Sequence, residues 1–213
     1  MIVFRIIIFP LQSLLHHRRS KTLAITEDTM RGKSLDPFAK RHSGEPNPEM
    51  PLEVLDASGK PLLVMLQSAV LRQKLSHKGV LVCLQDRAGR LFIYRRPQGA
   101  LSYAGMWDIA AAGRLMVGES YHDAGLRLLR ETWDITGLDL HEFRCIPEVF
   151  NGPNNIKLRL FVSSQTDILP RQINNQVVDG MFVDEDEIAA MIREFPTEIR
   201  PILLLTVSRM FAN

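Results

Sequence analysis

Acidic and basic side chains are concentrated in one segment, residues 113–138, which reads GRLMVGESYHDAGLRLLRETWDITGL. Glu119 stands in a glycine-bounded loop, and Glu131 and Asp134 follow in a stretch of good helix formers. Carboxylates three residues apart lie side by side on a helix. This spacing would let Glu131 and Asp134 share a hard cation such as Mg²⁺, which prefers oxygen ligands and readily bridges to phosphate oxygens.

The same side chains also have an ordinary structural interpretation. Arg127 and Glu131 are four residues apart, as are Arg130 and Asp134. Such pairs on an exposed helix contribute only tenths of a kcal/mol to stability. The helix alone favours this interpretation, whereas the glycine-bounded loop before it and the strand-like segments around it favour the site.

Local signals predict one helix over this segment. Ser120 is a good N-cap residue, and Asp123 stands three residues later, where a capping box has its acid. Gly137 offers the left-handed position that commonly ends a helix. We therefore expect a helix of about 16 residues, roughly 24 Å long.

Segment 113–138 resembles the Nudix box, whose family pattern is G-x5-E-x7-R-E-U-x-E-E-x-G-U, with U a bulky aliphatic residue. Gly113 and Glu119 match the first half of this pattern. In the register without a gap, Arg127 takes the arginine and Glu131 takes one glutamate. The two other glutamates of the pattern are then replaced, by Leu128 and Thr132.

A second register inserts three helical residues into the box. Arg130 and Glu131 then form the Arg-Glu pair, Asp134 and Ile135 take the places of the paired acids, and Gly137 closes the box. We favour this gapped alignment because it places glycine at the expected helix end. Glu131 is an acid of the box in both registers.

The resemblance implies a Mg²⁺- or Mn²⁺-dependent hydrolase of a nucleoside diphosphate, or another diphosphate, linked to a second moiety. Glu131 and Asp134 would be the catalytic acids and would hold the metal. Glu119 and the carbonyl group of Gly113 would complete the metal site.

Segments outside the box resemble the Nudix subgroup related to isopentenyl-diphosphate isomerase. His77, Arg95, Arg96, Trp107 and Asp108 stand at the positions that carry this resemblance. Successive strand residues point to opposite faces, so only one of the two arginines can face a cleft, where it would bind substrate phosphate. The reactive cysteine of the isomerases has no counterpart in the strand WDIAAA. Isomerase activity is therefore not expected.

The incomplete set of acids favours a second class of function. Asn175 and Gln176 occupy a region where relatives usually carry a further glutamate. Amides carry no charge and accept no proton at neutral pH. The alternative to a hydrolase of weakened activity is therefore a catalytically impaired Nudix-fold module that binds a ligand or regulates a partner.

The resemblance predicts an α/β fold, a Nudix-like α/β/α sandwich with a mixed β-sheet over residues 50–213. Residues 1–49 are interpreted as an N-terminal extension that is disordered or reflects a mis-assigned start, because they are basic and rich in turn residues. The apolar run at 1–15 is interrupted by Arg5 and Pro10 and is too short to span a bilayer, so no membrane partner is expected.

Composition narrows the class of partner. Among 213 residues the hydrophobic fraction is 46% and the charged fraction 23%, which is typical of a globular protein, and a net charge of +2 is too small to indicate nucleic-acid binding. Cys83 and Cys145 lie in apolar runs, which indicates buried free thiols in a reducing, cytoplasmic compartment. The expected partner is a small-molecule diphosphate, and a homodimer is compatible with the sequence.

Overall fold

A computed structural model describes residues 50–100, 102–143, 156–167, 170 and 179–211. The predicted N-terminal extension, residues 1–49, lies outside this range, as do Cys145, Asn175 and Gln176. Within the described ranges, none of the helices has the length and apolar character needed to cross a membrane.

The described chain begins with an antiparallel hairpin. Strand β1 (Pro51–Leu55) pairs with β2 (Pro61–Leu66), as predicted from two apolar runs around a turn. Helix α1 (Gln67–Arg72) follows directly, and its N-cap Leu66 makes no side-chain capping bond. The sequence predicts a short helix over residues 69–75 capped by Ser68. The helix is present but begins two residues earlier, so the predicted cap was wrong. The reason is that the chain passes from β2 into α1 without a loop.

Seven further strands form two sheets. One sheet has the order β6-β3-β8-β7 and the other β5-β4-β9. Strands β3 and β8 are parallel and all other neighbours are antiparallel, so the predicted mixed character is confirmed. The strands are β3 (His77–Cys83), β4 (Leu91–Arg95), β5 (Trp107–Ile109), β6 (Ala111–Arg114), β7 (Leu140–Glu142), β8 (Ile156–Ser163) and β9 (Gly180–Val183).

Two β-rich runs, residues 79–85 and 90–96, flank turn residues and predict a hairpin that is only partly present. Strands β3 and β4 belong to different sheets, and the link between them is a bridge from Gln85 to Leu91 and one bond from the Phe92 N–H to the Leu84 carbonyl. Strand β3 pairs instead with β6 and β8, partners that lie far away in the chain. The partner predicted for β8, over residues 143–150, lies mostly outside the described residues.

Three helices complete the domain: α2 (Tyr121–Trp133), α3 (Glu185–Glu194) and α4 (Pro201–Met210). A short 3₁₀ turn (Pro196–Glu198) separates α3 from α4. Asp184 and Glu187 form the predicted capping box at the start of α3. Helix α4 begins at Pro201, as the sequence predicts. Proline is tolerated there because it lacks a backbone N–H, and N–H groups in the first turn of a helix have no partner within the helix.

Strand β3 separates two hydrophobic cores. Val80 and Val82 pack in a cluster with the buried residues of α2, whereas Leu81 and Cys83 pack in a cluster with the buried residues of α3 and α4. Because successive strand side chains point to opposite faces, the sheet carries helices on both sides. The predicted α/β/α sandwich is confirmed.

Candidate active site

Helix α2 is shorter than predicted and ends at a different residue. Ser120 accepts a hydrogen bond from the Asp123 N–H at 3.1 Å, which confirms the predicted N-cap. The helix comprises 13 residues, and the residue in the left-handed conformation after it is Asp134, with φ 56°. Gly137 also has positive φ, at 74°, but it lies three residues beyond the cap. The predicted end of the helix at Gly137 was therefore wrong.

Tertiary packing explains this early end. The Trp133 indole N–H donates to the Ala110 carbonyl at 2.6 Å, and Ile135 is buried at 4% exposure. The chain has to turn after Trp133 to bury Ile135, and aspartate is one of the few residues that adopt the left-handed conformation with little strain. Asp134 thus takes the backbone position that the register without a gap gives to glycine, and the expectation behind the gapped alignment, that Gly137 ends the helix, was wrong.

Arg127 is the centre of the polar cluster on α2. Its Nε lies 2.7 Å from Glu119 Oε1 and its Nη2 lies 2.8 Å from Glu119 Oε2. Its Nη2 also donates to the Arg114 carbonyl at 3.0 Å, and its Nη1 lies 3.4 Å from Glu131 Oε2. One guanidinium therefore contacts both carboxylates, one from the loop and one from the helix.

The pair between Arg127 and Glu119 is largely buried, with side-chain exposures of 12% and 13%. Burial by itself raises the pKa of Glu119, but the hydrogen bonds from Arg127 and from the Met116 N–H outweigh it. The pKa of Glu119 consequently lies below its ordinary value of 4.5. Burial lowers the pKa of Arg127, but Glu119 and Glu131 reverse that effect and raise it.

Leu128 lies where the register without a gap places a metal-binding glutamate. It is 1% exposed, and a Cβ atom added to Gly113 would lie only 2.5 Å from its Cδ2. The methyl groups of Leu128 therefore pack directly against Gly113. An aliphatic group fills the space beside the backbone that was predicted to offer a carbonyl ligand.

The structure brings together only part of the predicted acidic site. Glu119 and Glu131 meet at Arg127. Asp134 is exposed beyond the end of the helix, and no hydrogen bond or ion pair joins its carboxylate to that pair among the described residues.

Both arginines predicted to bind phosphate have carboxylate partners within the domain. Arg95 pairs with Glu198 and lies over the Trp107 ring at 5.2 Å. Arg96 Nη1 lies 3.0 Å from an oxygen of Asp108, which is 2% exposed and also pairs with Arg200. Their contacts are those of structural ion pairs at the edge of the second sheet.

Comparisons with known proteins find relatives that are named Nudix hydrolases. The chain is 26% identical over 142 residues to an uncharacterized Nudix hydrolase of Pseudomonas aeruginosa, an alignment that covers 67% of this chain and 83% of that protein. It is 30% identical over 92 residues to an uncharacterized Nudix hydrolase of Streptomyces coelicolor, covering 43% of this chain and 51% of that protein. No protein-family model matches the chain.

The fold is shared with a solved structure. The crystal structure of DR0079 from Deinococcus radiodurans superposes with a TM-score of 0.64 at 19% identity, over 76% of this chain and 99% of that one. By sequence the chain is similar to Nudix hydrolases, and by fold it is similar to this structure. In segment 113–135 the chain aligns with the Nudix-box pattern without a gap, with Leu128 and Thr132 in place of two acids and Asp134 in place of the glycine.

Nudix proteins are expected to hold Mg²⁺ or Mn²⁺ at this box, so the donor set can be compared with that expectation. No group of three or more His, Cys, Asp or Glu side chains suited to a metal lies among the described residues. Glu119 offers oxygens that already accept from Arg127, and Glu131 offers a partly exposed carboxylate. Mg²⁺ can be held by one or two carboxylates together with substrate phosphates. The residues present therefore fit a single, weakly held ion.

Sequence reasoning missed two charged residues of this region. Glu53, on β1, contacts the loop that carries Glu119, and Arg200, just before α4, pairs with Asp108. Their partners are 65 and 92 residues away in the chain, so no local pattern marks either residue.

Proposed function

We propose that this Nudix protein hydrolyses a small-molecule diphosphate linked to a second moiety, with one Mg²⁺ or Mn²⁺ held chiefly by Glu131. The observation that carries the proposal is that Arg127 gathers Glu119 and Glu131 in the ungapped register of the box. Relatives that share this chain's sequence are named Nudix hydrolases, which supports the same reaction class.

The side chains of the box contribute charge and position. Arg127 lies between two carboxylates, and its positive charge reduces the repulsion that would otherwise keep them apart. The pKa of Glu119 is lowered, so its carboxylate stays ionised in weakly acidic solution as well as at neutral pH. A bound divalent ion would neutralise diphosphate charge and lower the pKa of an attacking water. Glu131 is the acid on α2 best placed to hold that ion.

The same geometry predicts slow turnover. Leu128 supplies methyl groups where a carboxylate would approach the Gly113 carbonyl, and Thr132 supplies a neutral hydroxyl beside Glu131. Each substitution removes one negative charge from the box. A site with fewer carboxylates binds a divalent ion less tightly, so activity should require millimolar metal.

The test is phosphate release from a panel of diphosphates, measured over a range of Mg²⁺ and Mn²⁺ concentrations. Glu131→Gln should abolish metal-dependent release because it removes the principal ligand. The matched control is Glu142→Gln, which alters an exposed pair with Arg159 on β7 and β8. Release that is equal in the wild type and in Glu131→Gln would contradict the proposed site.

A second candidate function is a Nudix-fold module that binds a diphosphate ligand without cleaving it. The burial of Leu128 against Gly113 favours this candidate. In the register without a gap, Leu128 replaces a glutamate of the box, so a buried aliphatic side chain stands where a metal-binding carboxylate is expected. A diphosphate that raises the melting temperature without being consumed over hours would support the module, since a ligand that binds only the folded state stabilises it.

Adding an acid next to Glu131 should strengthen the metal site. Thr132 is only partly buried, so Thr132→Glu places a second carboxylate at the box with little cost in packing. We expect Mn²⁺ affinity to rise about tenfold, equivalent to about 1.4 kcal/mol, in a calorimetric titration. The control is Thr136→Glu, which adds the same charge at an exposed position beyond α2. Equal gains in both variants would show that only net charge matters.

A further inference from the structure

Glu53 links the N-terminal hairpin to the loop of the Nudix box. Its Oε1 accepts a hydrogen bond from the Gly118 N–H at 3.2 Å, and its Oε2 lies 2.7 Å from Lys78 Nζ on β3. The side chain is 17% exposed although it points away from the small core of the hairpin. A carboxylate held this way contacts the residue that immediately precedes Glu119.

The contacted loop is a tight turn. The Glu119 N–H donates to the Met116 carbonyl at 3.1 Å, and Gly118 has φ 74°, as the third residue of a type II turn requires. The Met116 N–H in turn donates to Glu119 Oε2 at 2.8 Å. The N–H of Gly118 is central to the turn and has no acceptor within it, so Glu53 provides an acceptor from outside.

The charge of Glu53 suits this role. The hydrogen bond from Lys78 lowers its pKa, burial opposes that effect, and the Gly118 N–H adds to the lowering. The net result is a pKa below the ordinary value of 4.5. An ionised acceptor makes a stronger hydrogen bond to an N–H than a neutral one does.

The hairpin has a core and a sheet of its own. Leu52, Val54 and Val70 form a core of their own, and the sheet of β1 and β2 is separate from the other two. The bond from the Leu55 N–H to the Ser76 carbonyl, the ion pair with Lys78 and the bond from Gly118 are polar links between the hairpin and the rest of the described domain. Of these links, only the bond from Gly118 reaches the box.

We propose that Glu53 is a positioning residue of the Nudix box, which fixes the turn at 116–119 so that the Glu119 carboxylate meets Arg127. Glu53 does not touch the metal or the substrate in this proposal, which rests on the proposed function only for the consequence in catalysis. In this proposal the hairpin holds the turn at 116–119 in place against helix α2.

Three variants separate the bond to Gly118 from the ion pair with Lys78. Lys78→Met removes the ion pair and keeps the acceptor. The double variant Glu53→Lys/Lys78→Glu keeps an ion pair between β1 and β3 but places a donor opposite the Gly118 N–H. Glu53→Gln keeps an acceptor for Gly118 in a neutral form.

The first readout is amide hydrogen exchange of Gly118 and Glu119, measured by NMR in the full chain without metal. The double variant should exchange about fivefold to tenfold faster at Gly118, because a lost hydrogen bond is worth about 1 kcal/mol. Lys78→Met should stay within about twofold of the wild type because it keeps the ionised acceptor. Glu53→Gln should exchange at a rate between those of the wild type and the double variant, because its neutral acceptor makes a weaker hydrogen bond. The assignment would be overturned if the exchange rate at Gly118 were unchanged in the double variant. It would also be overturned if Lys78→Met raised that rate as much as the double variant does.

The second readout combines two measurements. One is Mn²⁺ affinity, measured by titration, and the other is turnover of the diphosphate that the wild type cleaves fastest. The double variant should lose affinity and turnover together, and Lys78→Met should lose neither. Faster exchange at Gly118 with wild-type Mn²⁺ affinity would overturn the positioning role. If the wild type cleaves no diphosphate, the proposed hydrolysis fails, whereas exchange and Mn²⁺ affinity still decide the role of Glu53.

Discussion

Arg127 shows how much of the candidate site depends on one side chain. Its guanidinium makes two bonds to Glu119, one to the Arg114 carbonyl and a longer contact to Glu131. It thereby joins the end of β6, the loop and the middle of α2. Because the pair with Glu119 is largely withdrawn from water, its loss should be felt in stability as well as in metal binding.

Acid should weaken the domain through Glu119. Its pKa is lowered in the folded chain, so its contribution to stability is present above the ordinary value of 4.5 and is lost as the pH falls through the lower, folded value. The unfolding free energy of Glu119→Gln should therefore fall less steeply between about pH 5 and pH 3 than that of the wild type. Urea denaturation at a series of pH values measures this slope.

The matched control for the acid experiment is Glu142→Gln, where both partners of the ion pair are about half exposed. Exposed pairs contribute little to stability, so its slope should follow the wild type. If the unfolding free energy of Glu119→Gln changed with pH as steeply as that of the wild type, the pair with Arg127 would not be a source of the pH dependence of stability.

At the scale of the element, the end of α2 decides the register of the Nudix box. Asp134 is one of three described non-glycine residues with positive φ, and its N–H closes the helix on the Arg130 carbonyl at 3.0 Å. Trp133 before it and Ile135 after it are both buried. The backbone turn at Asp134 is therefore imposed by packing on both sides.

Substitutions at Asp134 should rank by their tolerance of the left-handed conformation. Asp134→Gly should stabilise the domain by up to about 1 kcal/mol, because glycine adopts positive φ without strain. Asp134→Val should destabilise it by about 1–2 kcal/mol, since a β-branched residue is poorly suited to this conformation. Thermal unfolding measures both.

The control for this series is Asp139→Gly and Asp139→Val, at an exposed position without positive φ. At position 139 the glycine variant should not be more stable than the valine variant. If valine were as stable as glycine at position 134, the helix would have to continue beyond Trp133, and the gapped register would regain support.

At the scale of the whole molecule, Asp108 connects parts of the chain that are distant in sequence. It lies on β5, is 2% exposed and pairs with Arg96 just after β4 and with Arg200 just before α4. Its Oδ1 also accepts from the Ile109 N–H at 2.9 Å. The Asp108 carboxylate is therefore the shared ion-pair partner of Arg200, which is buried, and of Arg96, which is largely buried.

Removing that charge should be costly. Asp108→Asn leaves two arginines without their carboxylate, and breaking a buried ion pair typically costs about 3–5 kcal/mol. We expect a loss of about 3 kcal/mol in unfolding free energy, measured by urea denaturation. Asp139→Asn, at an exposed aspartate, should change stability by less than about 0.5 kcal/mol. A cost below about 1 kcal/mol for Asp108→Asn would indicate that the buried charges find other partners.

Local patterns predicted most of the elements. The apolar runs of β1, β2 and β8, the N-cap Ser120, the capping box of Asp184 with Glu187 and the proline that opens α4 are all present. Each of these signals acts between residues a few positions apart. The resemblance to the Nudix box likewise depended on residues within a single short segment.

The sequence by itself determined most of the elements, the resemblance to the Nudix box and the helical pair of Arg127 with Glu131, because hydrophobic alternation, capping and motif spacing are properties of neighbouring residues. Only the tertiary structure decided the end of α2, the partners of Arg95 and Arg96, and the contact of Glu53 with Gly118. These depend on which distant side chains a buried charge or a buried apolar residue meets when the sheets and helices pack. Burial and pairing are set by the whole fold, so no local pattern contains them.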